Sequence, residues 1–261
     1  MRIATPQVIL VVPCYNEEKR LPGAEIDAFV RQEEGRLKIM LINDGSSDAT
    51  GRVITALAAA NPDIIAINRS DNIGKAETVR DGIMAAVREP CEWVGFWDAD
   101  MATPLNELSH LLAHCRRRDY EVVTGCRLAR LGADVRRKLT RHYLGRVFAT
   151  VASTLLHLPL YDSQCGAKIF RRELAEQIFA RPFVSRWLFD VEIFRRLVQW
   201  YGKEKTTRIV YECPLYQWID VAGSKLTPAR ILETPWELWK IFRAPAFHPA
   251  KDRSGTGKTD V

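Results

Sequence analysis

Residues 93–103 read W-V-G-F-W-D-A-D-M-A-T, a short apolar run that stops at two aspartates one residue apart. A run of this length, bounded by polar residues, predicts a buried strand from Trp93 to Trp97 with Asp98 and Asp100 at its carboxyl end. Alternate side chains of an extended backbone share a side, so the spacing predicts that both carboxylates face the same way. Two carboxylates so placed suit one hard divalent cation, Mg²⁺ or Mn²⁺, which takes oxygen ligands and commonly shares substrate phosphates. Aspartate is also a common turn residue, and the rest of the chain must decide between the two meanings.

Working outward, short apolar runs alternate with helix-like segments. Strands are expected at Val8 to Val12, Leu37 to Ile42 and Ile64 to Ile67, and helices at Ile26 to Glu34, Asp48 to Ala60 and Ala76 to Arg88. Thr103 followed by Pro104 predicts a capped helix running to Arg118, and Glu121 to Cys126 a fifth strand. Alternation of this kind means an α/β fold, with a mostly parallel central sheet flanked by helices. In such sheets ligands sit beyond the carboxyl ends of the strands, where Cys14-Tyr-Asn-Glu17, Asn43-Asp-Gly-Ser-Ser-Asp48 and Asp98-Ala-Asp100 all fall.

After Cys126 the alternation breaks. Helices are expected at Leu139 to Leu156, Arg172 to Phe179 and Asp190 to Tyr201, a loop at Asp162 to Lys168, and a strand at Arg208 to Cys213. With no internal repeat, residues 1–225 read as one catalytic domain and 226–261 as an amphipathic helical tail with a disordered C-terminus. Ser254-Gly-Thr-Gly-Lys-Thr259 mimics a phosphate-binding loop, but its first glycine would fall at Asp252 and no helix can follow before Val261.

The chain has 261 residues, 47% of them hydrophobic, which is enough for a substantial core and excludes a disordered or fibrous protein. Six scattered cysteines without a C-x-x-C pair suggest neither a zinc site nor a disulfide framework, and fit reduced thiols in the cytosol. The start lacks the charged head and cleavage site of a signal peptide, and no apolar stretch reaches the ~18 residues of a spanning helix. The net charge of +6 is concentrated in Arg127, Arg130, Arg136, Arg137, Lys138 and Arg141, against Asp134 alone. Such clustering favours a defined anionic partner, phosphate or an acidic membrane surface, over nucleic acid.

The ordered series V-V-P-C-Y-N-E-E, N-D-G-S-S-D, N-I-G-K, D-A-D and D-S-Q-C-G-A-K resembles the family 2 glycosyltransferases of GT-A fold over roughly residues 7 to 225. Y-D-S-Q-C-G-A-K-I-F and R-W-L-F-D-V-E place the resemblance nearest the branch that glucosylates polyprenyl (dolichyl-type) phosphates. The resemblance implies an inverting, metal-dependent transfer of glucose from UDP-glucose to a polyprenyl phosphate. It further implies a protein peripheral on the cytoplasmic face of a membrane. Use of GDP-mannose, a non-lipid glycan acceptor, or a non-catalytic role as a basic membrane-surface adaptor are the alternatives.

Residue by residue, the resemblance implies that Pro13, Tyr15, Asn16 and Glu17 surround the nucleotide base and ribose, and that Asp44 binds uracil. Asn72, Gly74 and Lys75 form the next nucleotide-side loop, with Lys75 offering a cation to phosphate. Asp98 and Asp100 hold the metal, with Ala99 between them beside the donor, and Gln164 lies near the sugar. Related mannosyltransferases carry a metal-binding glutamine where this chain has Ala102, which argues against the mannosyl branch. Arg127 and Arg141 are implied to grip the acceptor phosphate, since guanidinium forks suit phosphate oxygens. Asp190 stands where inverting relatives carry a base. A phosphate monoester, with a second pKa near 6, needs little deprotonation, so Asp190 is equally readable as a positioning residue or a helix N-cap. Glu192 is a weaker candidate.

Two segments suit membrane contact. Pro235 to Pro249 sets Leu238, Ile241 and Phe242 at helical spacing beside Trp236, Trp239, Lys240 and Arg243. Val147 to Leu156 forms a second apolar helix behind a basic lead-in.

Overall fold

The computed structural model describes residues 7–116, 120–136, 139–221 and 228–246, leaving out the side chains of 139–142 and 228–231. Its strands are β1 (Val8–Cys14), β2 (Leu37–Asp44), β3 (Ile64–Arg69), β4 (Trp93–Trp97), β5 (Val122–Cys126), β6 (Asp134–Arg136), β7 (Ala167–Arg171), β8 (Val210–Pro214) and β9 (Gln217–Ile219). Its helices are α1 (Gly23–Gln32), α2 (Thr50–Ala60), α3 (Lys75–Ala86), α4 (Glu107–Cys115), α5 (Leu139–Leu156), α6 (Arg172–Phe179), α7 (Phe189–Ile209) and α8 (Pro228–Arg243).

A seven-stranded sheet in the order β3-β2-β1-β4-β7-β5-β8 forms the centre, and β6 and β9 form a small two-stranded sheet. The first four strands run parallel, β7 runs antiparallel between β4 and β5, and β8 returns parallel to β5. Helices on both faces explain why β1 reads V-I-L-V-V, apolar at every position: Ile9 and Val11 enter one core, Val8, Leu10 and Val12 the other. The first core holds Val79 and Ile83 of α3, Leu174 of α6 and Phe194 of α7; the second holds Ile26 of α1, Ile54 of α2 and Leu111 of α4. α3 lies so close to the sheet that a Cβ at Gly82 would stand 2.4 Å from Val11 and 2.5 Å from Ile42.

Several expectations change. The expected loop at Asp162 to Lys168 gives way at Ala167 to β7, so the sheet gains an antiparallel strand where only a loop was read. The helix expected from Thr103 begins at Glu107; the Thr103 carbonyl instead accepts the Trp97 indole N–H at 2.6 Å. α7 continues past Tyr201 through a kink at Gly202, whose φ of 72° only glycine adopts readily. α8, read as part of a tail, packs Leu238 and Ile241 into the first core, and Arg195 donates to the carbonyls of Phe242 and Ala244 at 3.0 and 2.8 Å. Residues 251–261, including the decoy loop, lie outside the described residues.

Candidate active site

Parallel pairing of β2, β1 and β4 sets their carboxyl ends side by side, which brings three of the polar motifs onto one edge of the sheet. Asp44 is buried and accepts the backbone N–H of Ile73 at 2.9 Å and of Gly74 at 3.0 Å, while the Asn72 amide donates to its carbonyl at 3.1 Å. The residue expected to meet uracil therefore also pins the Asn72–Gly74 loop. Asn16 adopts a φ of 51°; its N–H donates to Ser46 Oγ at 2.9 Å and its side-chain oxygen accepts the Ser47 N–H at 2.9 Å. Glu17 is buried, with its N–H on Thr50 Oγ1 at 2.8 Å and its carboxylate on Arg20 at 2.5 Å. Pro13 is half-buried and Tyr15 is exposed at the same edge.

β4 ends at Trp97, so Asp98, Ala99 and Asp100 lie in a turn and strand alternation does not place the two carboxylates. The turn is closed by the Met101 N–H on the Asp98 carbonyl at 3.1 Å, with Met101 at a φ of 47°, and by the Ala102 N–H on the Asp100 carboxylate at 3.2 Å. Ala99 and Ala102 turn into the core. Burial, reinforced by the charge of Asp98, holds Asp100 above the ordinary carboxylate range. Lys75 Nζ donates to Asp98 Oδ1 at 2.6 Å. Burial alone would lower the Lys75 pKa, but the charges of Asp98 and Asp190 outweigh it and hold it above the usual value.

β7 supplies the opposite wall. Asp98 N–H donates to the Gly166 carbonyl at 3.0 Å, and a Cβ on Gly166 would lie only 1.8 Å from Asp98 Oδ2. Lys168, fully buried on this strand, donates to Asp190 at 2.6 Å and to the Cys165 carbonyl at 2.5 Å. Asp190 sits in the first turn of α7 and makes no side-chain cap; its partner is Lys168. Glu192 is wholly buried, bound to Arg196 at 2.7 Å and to the Val184 N–H at 2.8 Å, and braces the entry to α7.

Arg127 forms a two-pronged pair with Asp162, at 2.6 and 2.7 Å, and its backbone N–H donates to the same carboxylate at 3.1 Å. It is therefore a counter-ion to the loop before β7, not a cation left open. Burial would raise the Asp162 pKa, but Arg127 overrides it and holds the carboxyl far below its usual range. Glu212 supports that loop from β8, accepting the N–H groups of Tyr161 at 2.8 Å and Asp162 at 2.7 Å. Gln164 Nε2 and Ser163 Oγ on the loop are buried donors without a partner among the described residues. The side chain of Arg141, on α5, lies outside the described residues. Asp134 pairs with Arg136 at 2.7 Å, so the basic stretch is partly neutralised from within.

Motif-based reasoning missed the pairings of Asp162 and Lys168 and the position of Arg186 against Gly74. A lysine followed by the apolar pair Ile169-Phe170 was the available signal for Lys168, because a buried ammonium demands a carboxylate. Nothing local marks Arg186, an exposed arginine whose guanidinium would lie 3.2 Å from a Cβ on Gly74.

The donor set fits a hard divalent cation: two aspartates share one turn, Asp98 already faces an ammonium, and Asp100 meets the repulsion that a cation would relieve. The chain is 31% identical over 84% of its length to a dolichyl-phosphate beta-glucosyltransferase of Dictyostelium discoideum, covering 68% of that protein. It is 29% identical over 86% of its length to the human protein of the same name, covering 71% of it. Its fold matches glucosyl-3-phosphoglycerate synthase from Mycobacterium tuberculosis, solved with Mn²⁺ and uridine-diphosphate-glucose, at a TM-score of 0.67 and 16% identity over 92% of this chain and 80% of that one. Residues 9–179 match the model of glycosyl transferase family 2, and with the relatives' coverage and the GT-A-like fold this makes the chain a member of that family.

Proposed function

We propose that the protein transfers glucose from UDP-glucose to a polyprenyl phosphate, with inversion at the anomeric carbon. The observation that carries this is the packing of Gly166 on the Asp98 carboxylate, in a loop whose Gln164 amide and Ser163 hydroxyl are buried without a partner among the described residues. A sugar joined to a diphosphate would satisfy both halves: hydroxyls for the orphaned donors, and phosphates for a cation on Asp98 and Asp100. The glucosyl and lipid-phosphate parts of the proposal are supported by what the relatives are named for.

Asp98 and Asp100 would hold Mg²⁺ or Mn²⁺, which when bound neutralises the diphosphate as it leaves. A phosphate oxygen of the acceptor bonds to the anomeric carbon from the face opposite the diphosphate. The carbon–oxygen bond to UDP breaks and its electron pair leaves with the diphosphate, so one displacement inverts the centre. The acceptor phosphate is largely ionised near neutrality and needs no base. Asp190, tied to Lys168, therefore acts as a positioning residue in this proposal.

Membrane contact fits two faces of the fold. On α5, Tyr143, Val147, Val151 and Leu155 repeat every four residues and all remain exposed, Tyr143 by 67% and Val147 by 65%. On α8, Trp236 and Trp239 stack 4.5 Å apart and stay half exposed. No described helix is long and apolar enough to cross a membrane. An exposed apolar or tryptophan-bearing helix face suits a helix lying in a membrane interface, here proposed on the cytoplasmic side.

The test is product analysis with a short-chain polyprenyl phosphate, Mg²⁺ or Mn²⁺ and a panel of nucleotide sugars. A β-linked glucosyl lipid formed from UDP-glucose alone, and lost in folded Asp98→Asn and Asp100→Asn variants, is expected. Preferred transfer from GDP-mannose, transfer only to a soluble glycan, or full activity in either variant refutes the assignment.

A further inference from the structure

A second cluster of ligand-type side chains lies between α4 and β8. His110 and His114 stand one helical turn apart on one face of α4, and Cys213 of β8 meets them there. One ligand atom from each lies within 4.8 Å of the other two. His110 Nδ1 is 3.4 Å from Cys213 Sγ, although 103 residues separate them in sequence. Nitrogen and sulfur ligands at ~2.0 and ~2.3 Å from a tetrahedral zinc ion sit about 3.5 Å apart, which the His110–Cys213 separation already matches.

An independent observation comes from Glu107, a turn earlier on α4. One of its oxygens accepts the N–H groups of Tyr216 and Gln217 at 3.1 and 2.8 Å, which fixes the carboxylate. The other, Oε2, is buried without a hydrogen-bond partner among the described residues and lies 3.8 Å from His110 Nδ1. A buried carboxylate oxygen without a donor is costly unless a proton or a cation supplies what is missing. Tyr216 and Tyr211 wall the cluster, with ring centroids 4.6 Å from His110 and 4.2 Å from His114, and keep its surroundings weakly polar.

We propose that Cys213, His110 and His114, beside the buried Glu107 Oε2, form a binding site for a transition-metal ion of the zinc class. Thiolate and imidazole ligands select such an ion over Mg²⁺, whereas the all-oxygen pair Asp98 and Asp100 does the opposite, so the chain carries two sites of distinct chemistry. A thiol must lose its proton to ligate, so the ion displaces the Cys213 proton on binding. The ion would clamp α4 to β8. Through Glu107 it would also brace the turn into β9, whose Ile219 N–H donates to the Ala102 carbonyl at 2.9 Å, next to the Asp98–Asp100 turn.

The test uses the full chain carrying both Asp98→Asn and Asp100→Asn, which removes the oxygen site as a competitor. After chelation and gel filtration this protein is expected to take up a single zinc ion. With Co²⁺ it is expected to show a thiolate charge-transfer band that zinc abolishes. Adding Cys213→Ser is expected to remove the band and lower zinc affinity by more than the roughly 10- to 100-fold that losing an outer partner costs. His114→Ala serves as a second ligand variant, and thermal unfolding of each metal-free variant reports whether it is folded. No thiolate band and no zinc uptake in the folded double variant overturns the proposal, as does undiminished uptake in folded Cys213→Ser. These readouts need no transferase activity, so they stand or fall apart from the proposed function.

Discussion

Gly166→Ala isolates the contact between the β7 loop and the two-aspartate turn. Gly166 has no unusual backbone requirement; only space is at issue, since its added Cβ would stand 1.8 Å from Asp98 Oδ2 and 2.1 Å from Asp98 Cγ. To regain van der Waals distance, Oδ2 must retreat by about 1.6 Å, a swing well off its rotamer that costs about 0.5–1.5 kcal/mol. The same swing breaks the Lys75 pair, whose side chains are 40% and 38% exposed; water screens such a pair, so its loss adds at most about 1 kcal/mol. A total of about 1–2 kcal/mol lowers the melting temperature of a domain this size by roughly 2–8 °C and leaves it folded. Metal ligands tolerate displacements of only ~0.2 Å, so metal-assisted donor binding is expected to fall by at least about 100-fold. The assay is calorimetric titration with UDP-glucose, with and without Mg²⁺, beside thermal unfolding. UDP alone without metal is expected to bind as it does to the parent, because the base-side loops are untouched. Binding of Mg²⁺ and UDP-glucose within about threefold of the parent, in a folded variant, refutes the argument that this packing sets Asp98. Gly95→Ala is the contrasting case: its Cβ would lie 2.4 Å from the Lys168 backbone carbonyl inside the sheet, and failure to fold is expected.

Lys168→Met leaves Asp190 buried opposite an apolar group and is expected to cost roughly 3–5 kcal/mol, most of which Lys168→Met with Asp190→Leu restores; denaturant unfolding of the single and double variants measures both. Arg127→Met is expected to cost a similar ~3–5 kcal/mol by stranding Asp162, and to loosen residues 162–166 in hydrogen exchange. Because the Asp162 pKa is depressed in the fold, the stability that this pair contributes is complete above about pH 4 and is lost only as pH falls toward the folded value, as acid titration of unfolding checks. Asp100 works in the opposite sense: its folded pKa is raised, so the free protein loses stability as pH climbs from about 4 through the folded value. A bound cation favours the ionised carboxylate, so the rise in melting temperature on adding Mg²⁺ is expected to be larger near neutrality than at about pH 4.

The first half of the sheet was legible because each β-α-β unit is local: the apolar runs at Val8, Leu37, Ile64 and Trp93 are bounded by turns and pair with near neighbours in sequence. β7 was not, because its partners β4 and β5 are reached by an antiparallel insertion that no periodicity announces; the run Ala167–Arg171 is short and carries a lysine. The same limit governs the site. Sequence revealed which residue types the chemistry needs, and the fold decided which of them are already engaged. Lys75 and Arg127 read as cations waiting for phosphate, yet Asp98 and Asp162 hold them at 2.6 Å. Asp190 read as a positioning residue or a cap, yet it answers Lys168 of β7. Each pairing joins residues more than twenty positions apart, so each is a property of the topology and not of a motif. The consequence is chemical. On the proposed function, a phosphate entering this edge would meet counter-ions whose charge is largely neutralised, so its binding would depend on a cation held by Asp98 and Asp100. Substitution of Lys75 or Arg127 then acts first on the carboxylate each one holds.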